Sequence, residues 1–191
     1  MTAITVRALG DEDWQVYRDI RLAALKESPD AFAAKVDQEQ QLDETFWRER
    51  MSRSRRLVAE SEGLPVGVVS VGDVVDTEDL DEDGDTDEVA AELFGLWVSP
   101  ELRGQGVAWK LVQAGVEQAR SEDRDHVVYW VGTDNGRAVA FASSFGFRPT
   151  DSRRPMRPQD ASDDEDDDNL EMAMVFPLGS DPGAVPNSDP S

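Results

Sequence analysis

Several residue types are missing or scarce in this 191-residue chain, and each absence removes a class of protein. No cysteine is present, which excludes disulfides, thiolate metal sites and a cysteine nucleophile. The one histidine, His126, is interpreted as structural, so neither a histidine-ligated metal nor a serine–histidine relay is expected. No apolar run approaches the roughly 18 residues of a membrane span, and the N-terminal residues lack a signal-peptide pattern. We therefore expect a cytoplasmic protein with no membrane partner.

Positive charge is also scarce, with 19 Lys and Arg against 41 Asp and Glu and a formal net charge of −22. A surface of this sign repels phosphate backbones, so no nucleic-acid partner is expected and cationic partners are favoured. Much of the acidity is local, because residues 76–88 hold nine acids and residues 163–168 hold six. Hydrophobic residues make up 39% of the chain, which suffices for a sizeable core.

Hydrophobic periodicity predicts strands and helices in a mixed order. The predicted strands are 4–9, 56–61, 65–75, 91–98, 127–131, one that begins at Phe147, and 170–176; the predicted helices are 14–26, 43–52, 104–120 and 135–144. This order describes one α/β domain, residues 1–178, with a central mixed β-sheet flanked by about four helices. Within it the acidic residues 76–88 are predicted to form a loop and residues 151–168 a linker, while residues 179–191 are predicted to be a disordered tail.

One short motif lies where a buried strand turns directly into an amphipathic helix. In this motif, residues 103–108, Gly104 and Gly106 let the backbone approach a ligand closely. The first N–H groups of the following helix have no partners within it, and an anionic phosphate would satisfy them and gain from the helix dipole. Two glycines in a turn are common, however, and they also fit a turn in which they only relieve crowding.

The wider sequence around this motif resembles motif A of the GNAT superfamily of acyl-CoA-dependent N-acyltransferases. The superfamily pattern R/Q-x-x-G-x-G/A is met by Arg103, Gly106 and Ala108. Two further segments match in the expected order, the N-x-x-A-x-x-hydrophobic helix with its terminal Gly-Phe and the first-helix sequence RLAALKESPDAF; they are residues 135–147 and 21–32. The chain is identified as a member of this superfamily over most of residues 3–176.

The resemblance implies acetyl-CoA as co-substrate, bound where two central strands splay apart. It implies that backbone N–H groups hold the pyrophosphate, that pantetheine lies along the edge of the central strand, and that an asparagine holds the same arm. The cofactor-binding residues expected on this basis are Leu96, Trp97, Val98, Arg103, Gly104, Gln105, Gly106, Val107, Ala108 and Asn135. Trp109 is either an adenine-stacking residue or a surface aromatic. The resemblance also implies a homodimer.

Three catalytic roles are assigned by the same resemblance. Val98 would polarise the thioester carbonyl through its N–H, in an oxyanion-type role. Glu92 would take the proton of the amine, because a lysine-like ammonium with a pKa of about 10.4 is protonated at neutral pH; the alternatives are a solvent-facing carboxylate and a water chain. Many members protonate the leaving thiolate with a tyrosine at the position that is Ala142 here. Ser143 or Ser144 would donate through a water, unless these serines are structural.

Two charged segments were weighed as further sites. Residues 79–87 match the first half of an EF-hand loop, but Ala90 stands where the bidentate glutamate is needed, so a solvated loop is predicted and no metal ligand is assigned. The arginines that precede the second acidic run, Arg153, Arg154 and Arg157, would pair either with those acids or with the cofactor's 3'-phosphate.

The function predicted from the sequence is transfer of an acetyl group from acetyl-CoA to a primary amine by direct attack in a ternary complex. The acceptor expected from the charge is a cationic small molecule. Two alternatives stay open, a protein N-terminal or lysine acetyltransferase and an acyl-CoA-sensing module without efficient turnover. Ala142 motivates the second of these, because the expected general acid is absent.

Overall fold

The computed structural model describes residues 3–29, 32, 35–74, 90–155 and 170–179. Seven strands and five helices follow in chain order: β1 Ile4–Ala8, α1 Trp14–Glu27, α2 Val36–Glu39, α3 Glu44–Arg53, β2 Arg55–Ser61, β3 Leu64–Val74, β4 Ala90–Val98, α4 Val107–Ser121, β5 His126–Gly132, α5 Gly136–Phe145, β6 Arg148–Pro155 and β7 Leu170–Pro177. Short 3-10 turns precede α1 and α4.

The strands form one mixed sheet in the order β1-β2-β3-β4-β5-β7-β6. Every neighbouring pair is antiparallel except β4 and β5, which are parallel because α4 carries the chain back between them. The predicted mixed sheet within an α/β domain is confirmed. Its one parallel pair lies at the centre, beside the glycine motif.

Helices cover both faces of the sheet. One face packs on α4 and α5 in a core that includes Leu93, Leu111 and Val127. The opposite face packs on α1 and α3 around Trp47, Tyr17 and other residues that are at most 9% exposed. A third, smaller cluster lies on β4, β5 and β7; it comprises Ala90, Val128 and Ala173, with Val74, Trp130 and Val175 at its border.

Helix α4 packs directly on the central strand β4. Its buried face includes Val107, Leu111 and Gly115, as the apolar spacing predicts. A Cβ added at Gly115 would come within 2.6 Å of the Leu93 side chain, so a larger residue would force Leu93 to shift within the core. The close packing fixes the N-terminus of α4 relative to the end of β4.

The structure corrects three of the sequence-based assignments. Helix α4 begins at Val107 rather than at residue 104, because Gly104 and Gly106 adopt left-handed φ values of +76° and +83° that end any helix there. Residues 151–155, predicted as linker, belong to β6, where they pair with β7. The short helix α2 was not predicted at all. The acidic loop, the rest of the linker and all but the first residue of the tail lie outside the described residues.

Within the ranges that the structure describes, no helix is long and apolar enough to cross a membrane.

Candidate functional site

The two central parallel strands separate after only three residue pairs. Strand β4 pairs with β5 from Ala91–Val127 to Leu93–Tyr129, and no pair follows in the register. At this point β4 also contains a bulge, since its register with β3 shifts between the Trp97–Val68 and Phe94–Ser70 pairs. Gly95 lies within the bulge at a φ of +63°, a conformation that glycine adopts without strain. The result is a gap between the ends of β4 and β5, so the predicted splaying is confirmed.

The bulge decides which groups of β4 face the gap. Ala91 and Leu93 pack on the α4 face, and the extra residue returns Leu96 and Val98 to that face while Trp97 joins the core with α1 and α3. The Ser99 N–H donates to Val66 of β3 at 2.8 Å. Because successive N–H groups of a strand point to opposite edges, the Val98 N–H is directed away from β3 and toward the gap.

The turn before α4 presents a row of unpaired backbone donors. Lys110 is the first residue of the region whose N–H bonds back along the helix, to Gly106 at 3.1 Å. The N–H groups of residues 104–109 donate to no acceptor among the described residues. They cluster at the N-terminus of a 15-residue helix, where the dipole favours negative charge. This turn, residues 103–108, is called the cradle below, and it is suited to a phosphate group.

A cavity of about 300 Å³ opens on the cradle and continues to α5. Its lining contains Val98 of β4, most of the cradle, and aromatic side chains from both helices; the full set is Val98, Leu102, Arg103, Gly104, Gly106, Val107, Ala108, Trp109 and Phe141. A Cβ added at Gly104 or Gly106 would meet no atom within 4 Å, so a side chain there would project into open space. The cavity therefore joins backbone donors at one end to an apolar wall at the other.

Glu27, the last residue of α1, ties the cradle to the rest of the fold. Its carboxylate accepts hydrogen bonds from Trp97 Nε1 at 2.9 Å and from Arg103 Nη2 at 2.7 Å, and also from the Ser28 hydroxyl. Arg103 Nε in turn donates to the Val98 carbonyl at 3.0 Å. These bonds, led by that of Ser28, lower the pKa of Glu27 to about 2. The carboxylate is therefore ionised at any physiological pH, and the Arg103 side chain anchors the cradle.

The predicted residues of α5 have more ordinary surroundings. Asn135 caps the helix by accepting from the Ala138 N–H at 3.1 Å, and its amide nitrogen has no hydrogen-bond partner in the described part of the chain. Ala142 is only 1% exposed and packs in the main core, whereas Ser143 is exposed. Trp109 of α4 packs against Phe145 at a centroid distance of 4.8 Å, which joins the two helices beside the cavity.

Glu92 lies on the opposite face of β4 from the α4 core, in a cluster with two charged residues. Arg154 Nη2 of β6 is 3.6 Å from Glu92 Oε1, and Arg154 Nε donates to Glu171 Oε2 of β7 at 2.8 Å. The guanidinium lies 4.2 Å from the ring centroid of Trp130. Burial raises the pKa of Glu92, while Arg154 lowers it and Glu171 raises it. A half-buried carboxylate with a raised pKa is a candidate general base.

The structure gathers most of the predicted cofactor residues around one cavity and leaves four outside its lining. Leu96 borders the gap through β4, Trp97 turns its side chain to Glu27, Gln105 Nε2 donates to the Glu101 carbonyl, and Asn135 caps α5. Sequence reasoning missed Glu27, which carries no local signal. It named Arg154 only as a partner of the acidic run or of the cofactor's 3'-phosphate, whereas Arg154 pairs with Glu92 and Glu171. It also missed the bulge, although Gly95 within an apolar strand is a recognised sign of one.

Among the described residues, no group of three or more acidic or histidine side chains is placed to hold a metal ion. Residues 79–87, the partial EF-hand match, lie in the part of the chain that is not described.

The chain belongs to the acetyltransferase (GNAT) family, whose model matches residues 18–147. It is 29% identical over 101 residues to an uncharacterised N-acetyltransferase of Methanocaldococcus jannaschii, a match that covers 53% of this chain and 42% of that protein. The chain thus spans less than half the length of this curated relative.

Solved structures share the fold. One is yncA of Salmonella typhimurium, a candidate acetyltransferase solved with its cofactor acetyl-CoA, with a TM-score of 0.66, 20% identity, and coverage of 98% of this chain and 99% of that one. Another is the ribosomal-protein-S18-alanine N-acetyltransferase of Escherichia coli, with a TM-score of 0.61, 17% identity, and coverage of 96% and 99%.

Proposed function

We propose that this protein transfers an acetyl group from acetyl-CoA to a primary amine by direct attack in a ternary complex. The observation that carries the proposal is the row of unpaired N–H groups at residues 104–109, which faces a cavity at the gap between two parallel strands. Unpaired donors at a helix N-terminus suit an anionic ligand, even in a protein whose net charge is −22.

The cavity and the gap between β4 and β5 would together receive the parts of acetyl-CoA in order. The cradle would hold the pyrophosphate, and Arg103 would keep the cradle in place through Glu27. The pantetheine arm would follow Leu96–Val98 in the gap, with the free amide nitrogen of Asn135 donating from the α5 side. Trp109 lines the cavity with 41% of its surface exposed, so it is available to stack on the adenine.

The chemistry requires three events around the acetyl carbonyl. The acceptor ammonium loses a proton to Glu92, directly or through a water, since Glu92 lies several residues along the strand from Val98. The free amine nitrogen then attacks the carbonyl carbon, and the Val98 N–H donates to the oxygen as negative charge develops there. The C–S bond breaks and CoA leaves as a thiolate. The attacking nitrogen loses its second proton, which passes through water to the thiolate, so the neutral amide and the CoA thiol form. Without a cysteine, no covalent enzyme intermediate is required.

Protonation of the thiolate is the step with the least support from side chains. Ala142 occupies the position of the family's tyrosine, and it is buried in the core. Ser143 is exposed on the same helix and would act through a water. A thiol with a pKa near 8.5 is a tolerable leaving group without direct protonation, so the missing acid slows the chemistry and does not prevent it.

A cationic small molecule is the acceptor that the charges favour. Glu92 and Glu171 lie together on the face of the sheet that would receive it, within a strongly acidic protein. A protein N-terminus or lysine is the alternative acceptor, and the E. coli neighbour acts on the alanine of a ribosomal protein. The second candidate function is an acyl-CoA-sensing module, which the apolar Ala142 at the acid position favours.

The first test is a thermal-shift titration with acetyl-CoA. Binding at 100 times Kd should raise the free energy of unfolding by about 2.7 kcal/mol, a shift of several degrees in Tm. Gly106→Trp should abolish this shift, because the new side chain enters the cradle. Gly63→Trp is a matched control, since Gly63 has a φ of +80° and equally open space but lies in the β2–β3 turn. An unshifted Tm in the natural protein would refute the cofactor proposal.

The second test follows release of CoA thiol with a panel of amines. Turnover with polyamines or aminoglycosides, and none with N-terminal or lysine peptides, is the expected result. Turnover with peptides alone would replace the small-molecule acceptor by a protein. Tight acetyl-CoA binding without turnover on either set would favour the sensing module.

A further inference from the structure

We propose that Arg154 is a positioning residue for Glu92, fixing its carboxylate in the ionised form that accepts a proton, and that Glu171 opposes this effect. The inference rests on the proposed function, in which Glu92 is the base. Arg154 does not contact the reacting atoms in this scheme and acts through Glu92.

The path of the Arg154 side chain is the first support. In the sheet, β6 is separated from β4 by β7 and β5, so Arg154 and Glu92 start from strands roughly 14 Å apart. The guanidinium reaches Glu92 by lying flat across the sheet, over the Trp130 ring at 4.2 Å. Pairing with Glu171 alone, on the adjacent strand, would hold β6 against β7. The extension to Glu92 therefore exceeds what strand pairing needs.

The surroundings of Glu92 are the second support. Gly72 of β3 and Val128 of β5, which pair with Glu92 in the neighbouring strands, carry no charge. Among the described residues, the charged groups that act on it are Arg154 from β6 and Glu171 from β7. Burial raises the pKa of Glu92 most strongly, and among the described residues Arg154 is the group that counters it.

The balance has a direct consequence for catalysis. A buried carboxylate that stayed protonated at neutral pH would be useless as a base, whereas one strongly paired with an arginine would be too weak. Glu171 takes the short contact with Arg154, 2.8 Å against 3.6 Å for Glu92. The arginine is thus shared, and Glu92 keeps a pKa above its ordinary value while one guanidinium edge holds its carboxylate oxygen in place.

The experiment compares substitutions that should act in opposite directions. Removing the positive charge with Arg154→Gln should raise the pKa of Glu92, and removing the competing negative charge with Glu171→Gln should lower it. Arg154→Lys should restore much of the natural behaviour. Arg148→Gln is the matched control, because Arg148 is an exposed arginine on the same strand and forms no ion pair with any described residue.

Two readouts are needed, and the first requires no turnover. The Glu92 carboxyl, assigned by its loss in Glu92→Gln, is titrated by ¹³C NMR in each variant. In the second, kcat/KM for one amine is measured across pH. Ionisation of the amine is the same for every variant. The ratio of a variant's pH profile to that of the natural protein therefore reports only the ionisation of groups on the enzyme. On the acid side, Arg154→Gln should be slower by up to about fivefold and Glu171→Gln faster, with the rates converging at high pH.

The possible results distinguish the role of Arg154 from the role of Glu92 and from the proposed function. Opposite NMR shifts with matching changes in kcat/KM establish Arg154 as a positioning residue. An unmoved Glu92 titration in Arg154→Gln overturns the inference, as does a change of equal size in Arg148→Gln. Opposite NMR shifts with unchanged pH profiles leave the effect of Arg154 on ionisation intact and refute the role of Glu92 as base. If the natural protein does not bind acetyl-CoA, the proposed function itself is refuted.

Discussion

The two faces of strand β4 are built from different chemistry. On the α4 side, the cradle and the bulge offer backbone N–H groups, and the charged side chains of Arg103 and Glu27 beside them pair with each other. On the opposite side, Glu92, Arg154 and Glu171 meet as side chains from three separate strands. The first face suits a large anionic group that is common to a whole family, and the second suits a variable acceptor.

The two faces of β4 therefore differ in the substitutions that they tolerate. Backbone donors persist under most substitutions, so a cradle of this kind is lost mainly when a glycine is replaced or its anchor is cut. A charge cluster depends on three individual residues, and one substitution changes the ionisation of the others. We therefore expect changes on the α4 face to appear in acetyl-CoA affinity and changes on the Glu92 face to appear in kcat.

Glu92→Gln should give the largest change and the sharpest test of this separation. The variant keeps the shape of the side chain and loses its ability to accept a proton, so kcat should fall by about 10²–10⁴-fold. The acetyl-CoA Kd, measured by thermal shift or calorimetry, should stay unchanged because Glu92 is on the other face of β4. If kcat falls by less than about threefold, water alone removes the proton.

Ala142→Tyr should be destabilising and should not increase activity. Ala142 is 1% exposed in the core, and inserting a large ring there should cost roughly 1–3 kcal/mol of unfolding free energy. Ser143→Tyr places the same ring at an exposed position of the same helix and should leave Tm nearly unchanged. Thermal melts and CoA-thiol release measure both. A faster, fully stable Ala142→Tyr enzyme would contradict the buried position of this residue.

The same division explains how far the sequence could be interpreted. The α4 face was predictable because its signals are local: an apolar strand, two glycines and an amphipathic helix lie next to one another in residues 91–120. The helix start was misplaced by three residues. The apolar spacing begins at Val107 and sets no limit on the residues before it, whereas the left-handed φ values of Gly104 and Gly106 exclude helix there.

The side-chain contacts of Glu92 and the Glu27–Arg103 pair could not be predicted from the sequence. Glu92 could be singled out by its place on the central strand, but its partners come from residues more than 60 positions away. Arg154 stood in a segment interpreted as linker, because proline, arginine and aspartate there conceal an edge strand. Glu27 and Arg103 are 76 residues apart and meet only when α1 packs beside β4. Their pairing follows from the tertiary fold and from no pattern in either segment.

Glu27→Gln should give the smallest effect and tests whether the cradle depends on a side chain at all. The amide cannot match the charged hydrogen bonds to Arg103 and Trp97, so the acetyl-CoA Kd should rise by about threefold with kcat unchanged. Glu44→Gln, which breaks the exposed Glu44–Arg48 pair on α3, is the control and should leave Kd unchanged.

Because the folded-state pKa of Glu27 is about 2, below its ordinary value of 4.5, its stabilisation is complete above pH 4.5. It is lost only as pH falls toward 2, so the ratio of the variant and natural Kd values should be constant from pH 6 to 9. A ratio that changes with pH in this range would show that another titrating group, and not Glu27, controls the cradle.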